Sequence, residues 1–383
     1  MTAVLGRRAG TEVAVDQVRA AVAAVTDPEL GLPLGELGMV GDVRVGRTGR
    51  AQVTVRLTTP NCPLATELTT AVAHAVRQVP GIRQATVRTG AMSVRERTEL
   101  ADRLRRRRAP AAGSTPGGRQ PAVYAVASGK GGVGKSTLTA NLAAALAAQG
   151  KRIGVVDADV WGYSLPQLFG VRRSPVVLGG AMLPVPAHGV LLMSVGFFVD
   201  DDSPVVWRGP MLHKALEQLL RDTHWGTLDA LLVDLPPGTG DAALSLTELL
   251  PDAALLAVTT PQKTAQVVAR RMVRMAADAG MPIAGVVENM SASICPGCGG
   301  RSTPFGDGGG ALIAEEFGVP LLGRVPLDAE LRRAGDAGTP VVLAAPQAAS
   351  ACELTRIAAA LPSPRRSIAR RPLPLEVIRS PGG

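Results

Sequence analysis

Aromatic residues are scarce in this 383-residue chain: three Trp, two Tyr and five Phe. So few rings argue against a platform on which the bases of a single nucleic-acid strand would stack. The apolar content, 46% of residues, therefore rests on Ala, Val and Leu, and it suffices for a sizeable core. Cysteine is also rare. Cys62, Cys295, Cys298 and Cys352 are too few to staple a chain of this length with disulfides. His74, His188, His213 and His224 are scattered without ligand spacing, and no Ser/His/Asp arrangement for nucleophilic catalysis emerges. Nor is there a long apolar run. The longest uncharged span, Ser174 to Val199, is broken by Pro175, Gly179, Gly180, Pro184, Pro186 and Gly189, which argues against a membrane helix. Met1 to Ala14 carries Arg7, Arg8 and Glu12 and has no apolar signal core. The expectation is a soluble, cytoplasmic protein that does not engage membranes.

The length favours two domains. Net charge is +9, much of it in Arg103–Arg108 and Arg365–Arg371. Both runs sit among Pro, Ser and Gly and read as solvated linker and tail, so nucleic acid is not the expected partner. A small α/β domain is expected over 1–108. In it, Val13–Val25 reads as a helix. Ala51–Thr58 alternates as a half-buried strand, and Gly46 and Gly49 turn the chain back from a partner strand that starts at Gly41. Leu64, Leu68, Val72, Ala75 and Val79 mark a helix face, and Ile82–Arg88 a further strand. Residues 109–120 read as a flexible linker and 363–383 as a Pro/Arg-rich tail.

Over 121–362 strand and helix patterns alternate. Expected strands are Ala122–Ala127, Arg152–Val156, Leu191–Val195, Ala230–Val233, Ala254–Thr259, Ile283–Val287 and Leu321–Arg324, with a helix over Thr264–Ala279. That spacing predicts a mostly parallel, doubly wound sheet covered on both faces, with ligands at the carboxyl ends of its strands.

The run Gly129-Lys130-Gly131-Gly132-Val133-Gly134-Lys135-Ser136-Thr137 fits the phosphate loop G-x-x-x-x-G-K-[ST], between an apolar strand and a helix pattern. Its glycines let backbone N–H groups close on phosphate oxygens. Lys135 is expected to reach the outer phosphates of ATP, and the Ser136 hydroxyl to bind Mg²⁺. Asp157 and Asp159 follow one strand and Asp234 another, where carboxylates hold Mg²⁺ directly or through water, or position the attacking water. Here Asp157 and Asp234 are assigned to the metal and Asp159 to the water. The segment Pro236–Asp241 reads as a switch that orders with ATP. Cys295-Pro296-Gly297-Cys298 offers two thiolates on a tight turn; spacing alone leaves an iron–sulfur cluster, zinc or a redox pair open. Cys352 lies in an Ala-rich helix pattern and is expected in the core.

With Lys130 as a second lysine in the loop, the chain resembles the deviant-Walker P-loop ATPases, which include partition and Min-system ATPases, nitrogenase iron protein and Mrp-type iron–sulfur carriers. Asp234-Leu235-Pro236-Pro237-Gly238-Thr239-Gly240-Asp241, Glu288-Asn289-Met290-Ser291, the Cys pair and Pro304-Phe305-Gly306 narrow the likeness to the Mrp/ApbC carriers. The first domain, through Asp27-Pro28-Glu29 and Thr59-Pro60-Asn61-Cys62-Pro63, resembles the small iron–sulfur assembly domain often fused to them. The resemblance implies ATP hydrolysis by a homodimer, with Lys130 acting across the interface and Asn289 contacting adenine; with no arginine finger identifiable in the sequence, hydrolysis is expected to be slow. It implies a 4Fe–4S cluster on paired Cys295 and Cys298, received from cluster donors and passed to apoproteins. Trp161-Gly162-Tyr163-Ser164 departs from the family's usual Gly-Pro-Ser. A partition- or Min-type positioning ATPase is the alternative, but it has no need of the Cys pair.

Overall fold

The structure is a computed structural model that describes residues 14–28, 30–58, 64–106, 120–178, 180–199, 209–238, 241–295 and 297–362. The expected linker at 109–119, the tail at 363–383, Glu29, Cys62 and the Thr239-Gly240 part of the switch lie outside them.

The N-terminal part runs α1 (14–23), α2 (Leu34–Leu37), β1 (Val40–Val45), β2 (Arg50–Leu57), α3 (Ala65–Arg77), β3 (Gln84–Ala91) and α4 (Val94–Arg106). β1 and β2 pair antiparallel; β2 and β3 pair parallel, which requires the crossover that α3 provides. The alternation in β2 places Ala51, Val53, Val55 and Leu57 inside. The last strand starts two residues later than its apolar pattern suggests. The basic run is not all linker: Arg103–Arg106 end α4, a helix that buries Leu100 and Leu104. The helical stagger of these leucines was masked by the charges around them.

The second part opens with β4 (Ala122–Ser128), α5 (Lys135–Ala148), β5 (Ile153–Asp157) and α6 (Leu165–Leu168). Four short strands follow: β6 (Val176–Leu178), β7 (Ala181–Leu183), β8 (Val185–Ala187) and β9 (Val190–Ser194). Then come α7 (Gly209–Arg221), β10 (Ala230–Asp234), α8 (Asp241–Leu249), β11 (Ala254–Thr259), α9 (Lys263–Asp278), β12 (Ile283–Ile294) and β13 (Arg301–Ser302). The chain closes with α10 (Gly309–Phe317), β14 (Leu321–Leu327), α11 (Ala329–Asp336), α12 (Val341–Ala344) and α13 (Ala349–Ala360).

The main sheet has the order β13-β12-β11-β4-β10-β5-β9-β8, with β14 also on β12. Its central strands are parallel, and β8 and β13 add antiparallel edges. β5, β10 and β11 are buried along their whole length, as a sheet covered on both faces requires. Alternation along β4 sends Tyr124 and Val126 into one core with Leu138, Leu142 and Leu354. Val123, Ala125 and Ala127 enter the other, with Leu216, Met272 and Val273. Among the described residues no helix is long and apolar enough to cross a membrane.

The β6–β7 hairpin is a separate two-stranded sheet. Its Leu178 and Leu183 join the N-terminal core, which includes Leu100 and Leu104 of α4. A two-stranded hairpin alone is marginal in water; this packing supports it, together with backbone bonds from Met182 to Asp222 and His224, both 2.8 Å. Replacing the fully buried Leu183 by Ala is expected to cost about 2–5 kcal/mol, read as a lowered denaturation midpoint. A loss under roughly 1 kcal/mol would mean that the hairpin carries none of the shared core.

Candidate functional site

β10 lies between β4 and β5, and its register places Asp234 beside Asp157 on one side and Val126 on the other. The strand ends thus gather the Gly129–Thr137 loop, Asp157, Asp159 and Asp234. Gly132 (φ 77°) and Gly134 (φ 83°) hold left-handed conformations that favour glycine. Gly129 has a second reason. A Cβ there would lie 2.5 Å from the backbone N of Ala269 in α9, so the loop root is pressed against that helix.

Lys135 is buried, with its Nζ 2.8 Å from Asp234 Oδ2 and 3.7 Å from Asp159 Oδ2. The Ser136 hydroxyl donates to Asp234 Oδ2 at 2.6 Å, and Thr139 Oγ1 donates to Asp234 Oδ1 at 2.8 Å. Asp157 makes different use of its oxygens. It accepts from the Ser164 and Leu165 N–H groups (3.2 and 3.1 Å) and from Ser194 Oγ (3.1 Å), so it folds the 158–165 loop back onto the strand. The carboxylate that faces the Ser136 hydroxyl is Asp234. Asp159 accepts from Gly162 N at 3.1 Å and stays close to Lys135. Burial first, and the charge of Asp234 further, raise both Asp157 and Asp159 above the usual carboxylate range.

Three buried carboxylates face one buried lysine. A hydroxyl and a carboxylate side by side at an electron-rich site are hard oxygen donors of the kind Mg²⁺ takes, and its charge would offset the acidic surplus. Ser136 and Asp234 therefore fit the ion.

Asn289, in β12 and nearly fully buried, donates its amide to the Val133 carbonyl at 2.8 Å, bracing the loop from outside. A Cβ on Gly134 would strike that same amide. The next residue, Met290, has φ 55°, a left-handed value that few non-glycine residues adopt. Lys130 Nζ donates to Gln262 Oε1 at 3.0 Å within its own chain. The Pro236–Asp241 segment is tied to the loop strand where Gly238 N meets the Ser128 carbonyl at 2.8 Å.

β12 runs well past its expected end at Val287, and Cys295 follows it directly. Cys295 N donates to Gly300 O, and Gly299 N to Cys295 O, both at 2.9 Å, which closes a tight knuckle against β13. Both thiols are exposed. The N–H groups of Cys298 and Gly297, with the Cys298 thiol, hold Cys295 below the ordinary thiol range, toward the thiolate that binds metal. Among the described residues no three His, Cys, Asp or Glu gather as a metal site, and the knuckle offers two thiols. Cys352 is a correction: it is exposed on α13, with its thiol 3.5 Å from the Pro346 carbonyl, because it falls on the outer face of that helix.

Sequence reasoning missed Thr139, Ser194 and Gln262. Thr139 carried a readable signal, one helical turn beyond Lys135 on the same face. Gln262 follows β11 at the ligand edge of the sheet. Ser194 carried no signal, since only tertiary packing brings β9 beside Asp157.

Residues 120–362 match the family described as NUBPL iron-transfer P-loop NTPase, and residues 15–88 match the family described as iron-sulfur cluster assembly protein. A Mycobacterium bovis protein named iron-sulfur cluster carrier protein is 47% identical over 369 residues, covering 94% of this chain and 97% of its own. A Synechocystis protein of the same name is 41% identical over 349 residues, covering 90% and 95%. A nucleotide-binding protein from Archaeoglobus fulgidus, solved with ADP, is 36% identical, with a TM-score of 0.50 over 57% of this chain and 86% of its own. Phosphate loop, strand-end carboxylates and full-length likeness agree: the chain belongs to the NUBPL iron-transfer P-loop NTPase family and carries an iron–sulfur assembly domain at its N-terminal end.

Proposed function

We propose that this chain is an ATP-hydrolysing iron–sulfur cluster carrier that works as a homodimer in the cytoplasm, receiving a 4Fe–4S cluster from a donor and passing it to apoproteins. The observation that carries this reading is the placement of Asn289, which braces the phosphate loop, and Cys295 on one strand and its end. A cubane cluster takes four thiolates. One chain offers the Cys295–Cys298 pair, so two chains related by a twofold axis supply the set. Cys62 is a candidate transient sulfur ligand during transfer.

In the nucleotide site Lys135 leaves Asp234 for the phosphates when ATP enters, since both are anionic and the phosphates carry more charge. Mg²⁺, held by Ser136 with Asp234 behind it, would neutralise charge on the phosphate oxygens. Asp157 holds the 158–165 loop, and through it the position of Asp159. Asp159 orients the water that attacks the γ-phosphorus as the bond to the bridging oxygen breaks, giving ADP and phosphate. Lys130 reaches the partner subunit's nucleotide. Asn289 meets the adenine with the polar atoms that bracing the loop leaves over. Hydrolysis is slow, because no arginine finger is assigned.

Lys135→Ala is expected to abolish ATP turnover, measured as phosphate release, because among the described residues it is the buried cation at the phosphate loop; turnover at the native level would overturn the site. Anaerobic reconstitution is expected to give about one 4Fe–4S cluster per dimer. Iron and sulfide analysis should show that cluster lost in Cys295→Ser and Cys298→Ser but retained in Cys352→Ser. One zinc per dimer with no iron uptake would favour a structural metal and sink the carrier reading.

A further inference from the structure

We infer that Gln262 is the resting partner of Lys130 within one subunit, and that releasing this contact is part of the cost of forming the ATP-bound dimer. The inference rests on the reading of Lys130 as a residue that crosses to the partner's nucleotide. Lys130 Nζ lies 3.0 Å from Gln262 Oε1, and both side chains are half-buried. The contact is built from both sides. The Lys130 backbone is fixed where Ser128 Oγ donates to its carbonyl at 3.0 Å, and the preceding Gly129 is pressed against α9. Opposite, Gln262 flanks the N-terminus of α9 in an extended conformation (ψ 132°) and makes no side-chain cap for that helix, so its amide is available to the lysine. Gln266 Nε2 donates to the Pro261 carbonyl at 2.6 Å and holds the turn that presents Gln262.

The chemistry of the contact suits release. A helix N-terminus carries positive partial charge, which is poor company for an ammonium, and Lys263 adds another cation beside it. An amide oxygen satisfies one ammonium donor without neutralising its charge. Among the described residues the lysine is therefore held in place without an ion-pair partner, and exchange of a neutral acceptor for a phosphate oxygen is favourable. A carboxylate at position 262 would remove that advantage. Gln262 is thus a positioning residue that acts through Lys130.

The test is the monomer–dimer equilibrium of the full chain with Mg²⁺ and a non-hydrolysable ATP analogue, by sedimentation. Gln262→Ala is expected to shift the dimerisation midpoint to a protein concentration roughly ten- to hundredfold lower, because two contacts are released per dimer, each worth the three- to tenfold of one modest hydrogen bond. Gln262→Glu is expected to shift it upward by a similar factor, more so at low salt. Both shifts should vanish in a Lys130→Ala background. Binding of a fluorescent ATP analogue to the monomer checks that each variant is folded. Shifts in the same direction, or shifts that persist without Lys130, would overturn the inference while leaving the role of Lys130 intact. Native dimerisation in Lys130→Ala alone would remove the trans role, and the latch with it.

Discussion

The structure is organised around an imbalance of charge. Asp157, Asp159 and Asp234 are buried at the ends of adjacent strands, and among the described residues Lys135 is the one cation paired with them. Buried carboxylates without compensation are costly, and the fold answers by distributing hydrogen bonds: Ser194 and two backbone N–H groups to Asp157, Gly162 to Asp159, Ser136 and Thr139 to Asp234. The loop glycines bring the lysine in, β9 brings Ser194, and α5 starts at the lysine itself. The negative charge that remains is what a bound cation would offset.

The nucleotide site was legible because its chemistry is local. Fixed spacing within Gly129–Thr137 and acidic residues after apolar runs are properties of the chain alone. The sheet was legible for the same reason, since buried parallel strands are continuous apolar runs. The helix α4 was not, because Leu100 and Leu104 stand in a sequence dominated by arginine and glutamate, and local composition outweighed a two-residue stripe. Cys352 was misplaced by the converse error. Its alanine-rich surroundings suggested a core, but alanine is also a common helix-surface residue. Partners such as Ser194 for Asp157 and Gln262 for Lys130 are far apart in sequence, and only the folded sheet edge brings them together.

β12 does more than add a strand. It pairs with β11, β13 and β14, includes the left-handed Met290, and shifts register against β14 after Asn289. A strand so interrupted, yet paired on both sides, joins the phosphate loop at its middle to the thiol knuckle at its end. The two sites of one subunit are therefore connected by continuous hydrogen-bonded backbone rather than by a linker.

The sharing of Leu178 and Leu183 between hairpin and N-terminal core bears on how the molecule can be taken apart. Across the boundary drawn at 109–120 by composition, these two leucines carry packing from one part to the other. An ATPase fragment cut there would carry two bared leucines on a hairpin held by its bonds to Asp222 and His224, a greasy spot absent from the whole protein. Its self-association would masquerade as the proposed nucleotide-driven pairing of subunits, and its solubility would speak for the missing neighbour rather than for the enzyme.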